Sequence, residues 1–446
     1  MRPIRATETP GAYAISARPC ATVSCYRCSR TVGNHAFPWQ GLGTTAVRQV
    51  TIRNSRPGGA DPDSVQPKPQ QNTMKVGIPI EVLGGETRVA ATPETVKKLR
   101  ALGLSVLVEH NAGLGSHFTD EAYHQAGAEI GDKERALGSD IVLKVHKPEP
   151  VEIEHMKNGA VVLSMMGLCH ADDTLSLLAG KGVDAFALEM IPRISRAQAM
   201  DVLSSQSNIA GYRAVLEAAR LYGRFFPMMM TSAGSAKPTR VVVLGAGVAG
   251  LQAIATARRL GAQVSAYDVR PEVKEQIMSL GAKFIEFDLG ESGAGAGGYA
   301  RQLSAEAQSR QQQLLTDELK KADIIISTAL IPCRPAPVLI TEQAVEGMHQ
   351  GSVIVDMAAA TGGNCPLTEA NKTVTKHGVI LCGITNFPAL MPSDASAFYA
   401  RNLFNFVTLM VTTTEGQVRM KDYLEDEITA SSLVTYKGAV RFKEKK

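Results

Sequence analysis

Three glycines at fixed spacing, Gly245, Gly247 and Gly250, are the residues of this chain best suited to hold a ligand. They follow an apolar run at 240–244 that predicts a strand, and they open a helix predicted at 251–260. In such a turn Gly245 permits a sharp bend, Gly247 lets the backbone approach a pyrophosphate, and Gly250 allows close packing of helix on strand. The helix N-terminus also favours a bound phosphate. The spacing therefore predicts a dinucleotide site.

Two charged residues after the next predicted strand bear on which dinucleotide binds. Asp268 ends the strand expected at 264–268, and its carboxylate can accept hydrogen bonds from ribose hydroxyls. The same charge would repel a 2′-phosphate, so we expect NAD(H) rather than NADP(H). Arg270 opposes this preference, because an arginine can accommodate a 2′-phosphate. The alternative to a cofactor site is a glycine turn that holds no ligand.

Two series of alternating strands and helices position these residues. Strands are predicted at 75–80, 105–109, 140–145, 160–164 and 183–188 in the first series, and at 240–244, 264–268, 283–287, 323–328, 352–357 and 378–383 in the second. Nearly continuous apolar strands separated by helices are typical of parallel sheets covered on both faces. We therefore expect an α/β fold of two Rossmann-like, doubly wound parallel-sheet domains separated by a cleft.

The predicted domains are 74–204 together with 394–446, and 205–393, because an amphipathic helix near 394–412 is expected to return to the first domain. Residues 1–73 have eight of the 22 prolines and no apolar period. Their eight Arg and one Lys against three acids give +6, which leaves the rest of the chain at −2 of the net +4. We expect a disordered extension, a transit peptide or a misannotated leader. The slightly acidic remainder argues against nucleic-acid binding.

The cysteines and the apolar runs exclude further classes. Seven scattered cysteines predict reduced thiols in an intracellular compartment. Cys25 and Cys28 form a CxxC motif that no second pair or histidine cluster completes, so no metal site is expected. No apolar run approaches the ~20 residues that a membrane-spanning helix needs. The richest run, 403–411, predicts a buried helix.

Four longer segments, at 85–93, 192–201, 204–213 and 384–393, are more specific than the glycines. With the glycine motif they resemble the alanine dehydrogenase/transhydrogenase family, and within it the NAD(H)-binding component (domain I, alpha subunit) of proton-translocating NAD(P) transhydrogenases. The resemblance covers about residues 74–440. It implies direct hydride transfer between NAD(H) on this chain and NADP(H) on a partner component, coupled to proton translocation by a separate membrane component.

The resemblance also assigns site residues. It implies that a loop helps to seat the nicotinamide and meets the NADP(H)-binding component through Arg193, Gln198, Asp201 and Ser204. From residue types alone, this segment is a solvated polar loop. Besides the glycines and Asp268, the implied nucleotide contacts are Val248, Val269, Arg270, Tyr212, Leu330, Gly298 and Tyr299. A buried core tyrosine is the alternative for Tyr212.

The glycine-rich segment 290–299 ends at Tyr299. The resemblance implies a mobile loop that closes over bound NAD(H) and excludes water from the hydride path. A surface insertion without a role is the alternative.

A comparison with alanine dehydrogenases separates two enzymatic activities. Their carboxylate-binding arginine and active-site lysine match Arg88 and Lys144, whereas their catalytic histidine and aspartate match Gly167 and Thr361. Amino-acid oxidation needs a proton acceptor, so the loss of both groups favours transhydrogenation. The alternatives are a stand-alone alanine-dehydrogenase-like oxidoreductase and a catalytically silent NAD(H)-binding regulatory module.

The resemblance finally implies partners and a location. We expect a homodimer that associates with NADP(H)-binding and transmembrane components, with no membrane span of its own. Since the chain ends without transmembrane helices, we expect a split-subunit arrangement or a truncated gene product. The expected location is peripheral, at the cytoplasmic face of the inner membrane, or the mitochondrial matrix if residues 1–73 are a transit peptide.

Overall fold

The computed structural model describes residues 73–169, 172–287, 304–331, 333–414 and 417–442. The strands within these residues are β1 (Lys75–Ile78), β2 (Ser105–Glu109), β3 (Glu129–Gly131), β4 (Ile141–His146), β5 (Val161–Met165), β6 (Asp184–Ala187), β7 (Met229–Thr231), β8 (Gly234–Ala236), β9 (Arg240–Leu244), β10 (Gln263–Tyr267), β11 (Lys283–Phe284), β12 (Ile324–Ser327), β13 (Val353–Asp356), β14 (Thr373–Lys376), β15 (Val379–Cys382), β16 (Val411–Thr414), β17 (Gln417–Met420), β18 (Leu433–Tyr436) and β19 (Ala439–Val440).

The α-helices of the same residues alternate with these strands. They are α1 (Pro93–Ala101), α2 (Asp120–Gln125), α3 (Lys133–Leu137), α4 (Pro150–His155), α5 (Thr174–Gly180), α6 (Val202–Leu221), α7 (Val248–Arg259), α8 (Lys274–Ser279), α9 (Ala305–Leu319), α10 (Glu342–Glu346), α11 (Pro392–Met410) and α12 (Glu427–Ser432).

The first sheet has eight strands in the order β19-β18-β6-β5-β4-β1-β2-β3. Its six strands from the N-terminal series run parallel, and their central members are buried apolar runs. Such strands are covered on both faces. The C-terminal segment adds β18 antiparallel to β6 and β19 antiparallel to β18.

The second sheet has the order β11-β10-β9-β12-β13-β15-β14 and is parallel except for the edge strand β14. From β9 the chain proceeds to β10 and β11 on one side and then to β12 and β13 on the other. The strand order therefore reverses at β9. In doubly wound sheets, ligands bind at the carboxyl ends of the strands beside such a reversal.

Two helices connect the sheets. Helix α11, predicted near 394–412, places Tyr399, Leu403 and Phe406 in the apolar core of the first sheet. Helix α6 begins with Val202 in that core and continues to Ala214 in the core of the second sheet. The predicted fold class, two α/β domains built on parallel sheets, is confirmed. The predicted boundary at 204/205 lies inside the unbroken helix α6.

Several elements differ from the sequence-based expectation. The hairpins β7–β8 and β16–β17 and the edge strand β14 were not predicted, because short, half-exposed strands lack a long apolar run. Within the described ranges, no helix combines the length and apolar character that a bilayer crossing requires.

The expectation that all cysteines are reduced is wrong for one pair. Cys169 and Cys333 form a disulfide, whereas Cys365 and Cys382 are free and buried. Sequence spacing cannot reveal a pair separated by 164 residues, because the two positions meet only through the packing of two domains. The cysteines of the CxxC motif, and the extension 1–73 apart from its last residue, lie outside the described residues.

Candidate functional site

The glycine turn follows β9 at the reversal of strand order. Gly245 has φ +91°, a conformation that other residues seldom adopt. A Cβ atom on Gly250 would lie 1.9 Å from the carbonyl oxygen of Gly245, so a side chain there would force helix and strand apart. Among the described residues, no atom lies within 4 Å of the Cβ position at Gly247. The backbone at Gly247 therefore faces open space.

Helix α7 points its N-terminus into that space. Gly247 is the N-cap, and it has no side chain to accept from the first N–H groups of the helix. These N–H groups and the helix dipole attract an anion. On the other side of α7, Gly211 of α6 lies so close that a Cβ would be 2.1 Å from the carbonyl oxygen of Ala249. Close contact with α6 thus fixes the direction of α7.

Asp268, directly after β10, contacts the same turn. Its Oδ2 accepts from the N–H of Ala246 at 2.7 Å, and its Oδ1 accepts from the N–H of Arg270 at 2.9 Å. The Arg270 guanidinium also donates to both oxygens at 3.0 Å. Burial by itself would raise the pKa of Asp268, but the bonds from Arg270 and Ala246 outweigh it and lower that pKa. The carboxylate is therefore charged at neutral pH.

Exposed apolar side chains surround the turn at the carboxyl ends of three adjacent strands. Val248 follows β9, Val269 follows β10, and Leu330 follows β12, and all three are exposed. Solvent-exposed apolar residues next to an anion site suit a ligand with both a flat base and phosphates. Tyr212 on α6 is half-buried, and its hydroxyl has no hydrogen-bond partner among the described residues.

The segment before α6 and the first turn of that helix hold the four residues assigned to the nicotinamide. Asp201 caps α6: its carboxylate accepts from the Ser204 N–H at 2.9 Å and from the Ser204 hydroxyl at 2.5 Å. Arg193 and Gln198 are exposed, and their side chains form no hydrogen bond or ion pair in the part of the chain that the structure describes. The structure thus brings Asp201 and Ser204 together and leaves the other two facing solvent.

Three contacts fix this loop in place. Arg196 forms a two-pronged ion pair with Asp426, with Nη1–Oδ2 at 2.5 Å and Nη2–Oδ1 at 3.0 Å. The side-chain amides of Asn402 and Asn405 on α11 both donate to the carbonyl oxygen of Ala199 at 2.9 Å. These contacts hold the loop in one position. The remaining predicted contacts, Gly298 and Tyr299, lie outside the described residues together with the segment 290–299.

A buried charge cluster lies where the two domains meet. The guanidinium of Arg88 donates to both oxygens of Glu86, at 2.8 and 2.7 Å, and to Gln206 of α6 at 2.9 Å. Glu86 also contacts His146 Nε2 at 2.6 Å and accepts from the amide of Asn386 at 3.0 Å. Burial by itself would raise the pKa of Glu86, but the bonds from Arg88 and His146 outweigh it and lower that pKa strongly.

Lys144, which matches the active-site lysine of alanine dehydrogenases, does not lie beside Arg88. Lys144 is fully buried, where its Nζ donates to Glu152 at 2.9 Å and lies 3.6 Å from Glu81. The pairing of β4 with β5 is irregular between Leu143 and His146. His146, at the end of β4, lies beside Arg88 with Nη2 and Nε2 3.4 Å apart. Sequence reasoning missed His146, although its position at the end of a buried strand is a usable signal.

A cavity of ≈ 640 Å³ opens beside this cluster, at the carboxyl ends of β4 and β5. His146, Lys147, Met165 and Gly167 are among its lining residues. Gly167 has φ +65°, and no atom of the described residues lies within 4 Å of its Cβ position. The position matched to the catalytic histidine therefore carries no acid or base, because it is a glycine. Thr361 donates its hydroxyl to the carbonyl oxygen of Ala358.

Comparison with known proteins gives two family matches that cover most of the chain. Residues 77–210 match the N-terminal domain model of alanine dehydrogenase/PNT, and residues 214–443 match its C-terminal domain model. The chain is 49% identical over 376 residues to an NAD(P) transhydrogenase subunit alpha polypeptide of Rhodospirillum rubrum, covering 82% of this chain and 97% of the relative.

Solved structures give the same picture. A transhydrogenase from Sinorhizobium meliloti matches with a TM-score of 0.72 and 44% identity, covering 82% of this chain and 98% of that one. An L-alanine dehydrogenase matches with a TM-score of 0.70 and 27% identity, covering 82% and 97%. Both similarities span the two sheets described above.

Proposed function

The chain belongs to the alanine dehydrogenase/PNT family, and we propose that it is the NAD(H)-binding component of a proton-translocating NAD(P) transhydrogenase. The observation that carries this proposal is the glycine turn at the strand-order reversal, where Gly247 and the N-terminus of α7 face open space. These residues fit a pyrophosphate, because backbone N–H groups and the helix dipole can hold it without a side chain in the way. When bound, the nicotinamide supplies the hydride donor or acceptor.

The contacts of Asp268 support NAD(H) over NADP(H). Its charge is maintained by Arg270, and the guanidinium of Arg270 is in turn occupied by Asp268. The arginine is therefore not free to neutralise a 2′-phosphate in this arrangement. The ribose hydroxyls can bind the carboxylate, which remains the acceptor that distinguishes the two nucleotides.

The fixed loop before α6 supports a role in hydride transfer to a partner. Direct transfer between two nicotinamides requires positioning and exclusion of water, and no proton is exchanged with a protein group. Asp201 and Ser204 hold the start of α6, while Arg193 and Gln198 face outward from a platform anchored by Arg196. We assign Arg193 and Gln198 to the nicotinamide and to the NADP(H)-binding component, which is bound on a separate part of the enzyme.

The alternative of an alanine-dehydrogenase-like reaction is less well supported. The arginine that would hold a substrate carboxylate, Arg88, is 4% exposed and already bonded to Glu86 and Gln206. A catalytically silent NAD(H)-binding module would need the same nucleotide site but not the exposed pair Arg193 and Gln198 on an anchored loop.

The partners follow from the same proposal. We assign proton translocation to separate transmembrane components, and the chain to a peripheral position at the cytoplasmic face of the inner membrane, or to the mitochondrial matrix if residues 1–73 are a transit peptide. We also propose a homodimer. The hairpin β7–β8 pairs with no other strand in the described ranges, and Phe225, Met228 and Met230 leave an exposed apolar patch on and beside it.

One set of assays on the purified chain tests the activity. NADH fluorescence titration measures binding, and NADH oxidation is followed first with pyruvate and ammonia and then with an NADP-type acceptor and the partner components. We expect binding, no turnover with pyruvate and ammonia, and turnover once the partner components are present. Turnover with pyruvate and ammonia would contradict the proposal, and binding without turnover in any mixture would favour the silent module.

A further inference from the structure

The disulfide between Cys169 and Cys333 joins the two domains a second time. Cys169 lies after β5 of the first sheet, and Cys333 lies after β12 of the second, with their Cα atoms 4.6 Å apart. The main chain also connects the domains, where helix α6 continues from one apolar core into the other. Strand β12 ends at the edge of the second sheet where we place the nucleotide, and β5 ends at the edge of the first sheet beside the cavity. The bridge therefore spans the nucleotide cleft.

Both loops are anchored close to the bridge. On the first domain, the carboxylate of Glu189 accepts from the backbone N–H groups of Met166 and Gly167, at 3.0 and 2.7 Å. On the second domain, the hydroxyl of Thr328 donates to the carbonyl oxygens of Leu244 and Gly245 at 3.1 Å. A covalent bond between these two loops therefore adds a second restraint on the two domains.

Both cysteines are accessible to reagents. Each is exposed, unlike the free cysteines Cys365 and Cys382, which are buried. Cys333 also has φ +58°, a left-handed conformation that is uncommon for residues other than glycine. Exposed disulfides are the labile ones that exchange with solution thiols, whereas structural disulfides resist reduction. Exposure thus suits a bond that is made and broken during function.

We propose that Cys169 and Cys333 form a reversible redox latch that holds the two domains together over the nucleotide cleft and slows NAD(H) exchange. This inference rests on the proposed function, since it takes the cleft as the NAD(H) site. Cysteines whose Cα atoms are more than about 7 Å apart cannot be bridged, so the intact bond prevents any opening that exceeds this separation. Reduction removes that limit.

The chemistry requires a disulfide oxidant such as oxidised glutathione. One cysteine thiolate attacks a sulfur of the oxidant, which forms a mixed disulfide and releases one glutathione thiolate. The second cysteine then attacks the mixed disulfide and releases the other. One S–S bond breaks and one forms, and two glutathione thiols carry away the two electrons and two protons. A dithiol reductant reverses the same exchange.

Two measurements on the full chain test the latch. After treatment with oxidised glutathione or with dithiothreitol, mass spectrometry of a non-reduced digest detects or excludes the peptide linked through Cys169 and Cys333. Stopped-flow fluorescence then follows the release of bound NADH into excess NAD⁺. We expect release from the oxidised protein to be slower by about fivefold or more than from the reduced protein.

Cys169→Ala and Cys333→Ala are the test variants, and both sites are exposed, so neither substitution creates a core cavity. Each variant should release NADH at the rate of the reduced wild type under both treatments. Cys365→Ala removes a buried cysteine outside the bridge and should keep the redox dependence. A missing linked peptide after oxidation, or equal release rates in both states, would overturn the latch alone. Failure of NADH to bind in either state would contradict the proposed function as well.

Discussion

Arg270 covers the carboxylate of Asp268, with Nη2 3.0 Å from Oδ2 and Nε 3.0 Å from Oδ1. The pair is built within one turn at the end of β10, and the Asp268 side chain is only 6% exposed, whereas that of Arg270 is 46% exposed. The exposed guanidinium thus covers the buried carboxylate from the solvent side and holds it charged. The pair therefore keeps an acceptor charged and ready for a ribose hydroxyl.

Asp268→Asn should weaken NADH binding by about 1.5–3 kcal/mol, because a charge-assisted hydrogen bond becomes a neutral one. The same change should narrow the gap between NADH and NADPH, since the repulsion of a 2′-phosphate is removed. Fluorescence titration with both nucleotides measures the two effects. Asp317→Asn, an exposed change on α9, is the control. Unchanged NADH affinity in Asp268→Asn would show that the ribose lies elsewhere.

Gly247→Ala and Gly250→Ala should separate binding from folding. The Cβ atom of alanine at 250 would lie 1.9 Å from the Gly245 carbonyl oxygen. We expect this overpacking to lower the free energy of unfolding by about 1–3 kcal/mol. The Cβ atom of alanine at 247 would have no atom of the described residues within 4 Å. The free energy of unfolding should therefore change by less than about 0.5 kcal/mol, while NADH affinity falls. Urea unfolding and NADH titration are the readouts. Full NADH affinity in Gly247→Ala would argue against a pyrophosphate at this turn.

Arg193→Ala should slow hydride transfer to the partner component by more than tenfold, with a smaller effect on the NADH Kd. The reason is that misplacement of a reacting ring by about 1 Å can cost roughly 100-fold in rate. Gln198→Ala should act in the same direction. Stopped-flow transhydrogenation with the partner components measures the rate, and Arg259→Ala on the exposed side of α7 is the control. A wild-type rate in both test variants would mean that this segment is a solvated polar loop with no role in hydride transfer.

Glu86→Gln should destabilise the protein by about 3–5 kcal/mol at pH 7, because it leaves the buried guanidinium of Arg88 without its counter-charge. The folded-state pKa of Glu86 is lowered, so its contribution is present above the unfolded-state pKa of about 4.3 and is lost as the pH falls toward the folded-state value.

Urea unfolding between pH 7 and pH 3 checks this prediction. The wild type should lose stability below about pH 4.3 more steeply than Glu86→Gln. Glu275→Gln, an exposed change on α8, should leave stability within about 0.5 kcal/mol. Equal stability of Glu86→Gln and the wild type at pH 7 would mean that Arg88 does not depend on this carboxylate.

Met230→Asp should convert the proposed homodimer to a monomer. Met230 is 76% exposed on the hairpin β7–β8, and a charge placed in an apolar interface must be desolvated. Light scattering after size-exclusion chromatography gives the mass. Met278→Asp, at another exposed methionine on α8, is the control and should keep the wild-type mass. A wild type that is itself monomeric would contradict the homodimer.

Local features of the sequence predicted most of the fold. The predicted strands of both series begin and end within about three residues of their predicted positions, since each is a short, continuous apolar run bounded by turn residues. The start of α1 also rests on local residues: the Thr92 side chain accepts from the N–H of Thr95, and Pro93 occupies the first turn. Hairpins with few buried residues carried no such signal.

The sequence by itself determined the alternation of strands and helices, the glycine turn and the family resemblance, because each depends on residues close together in the chain. Only the tertiary structure decided that Lys144 is buried against Glu152 while His146 lies beside Arg88. It also decided that Cys169 meets Cys333. These contacts join residues from different structural elements or different domains, and no local preference of the chain specifies which side chains come to share one buried site or one edge of a cleft.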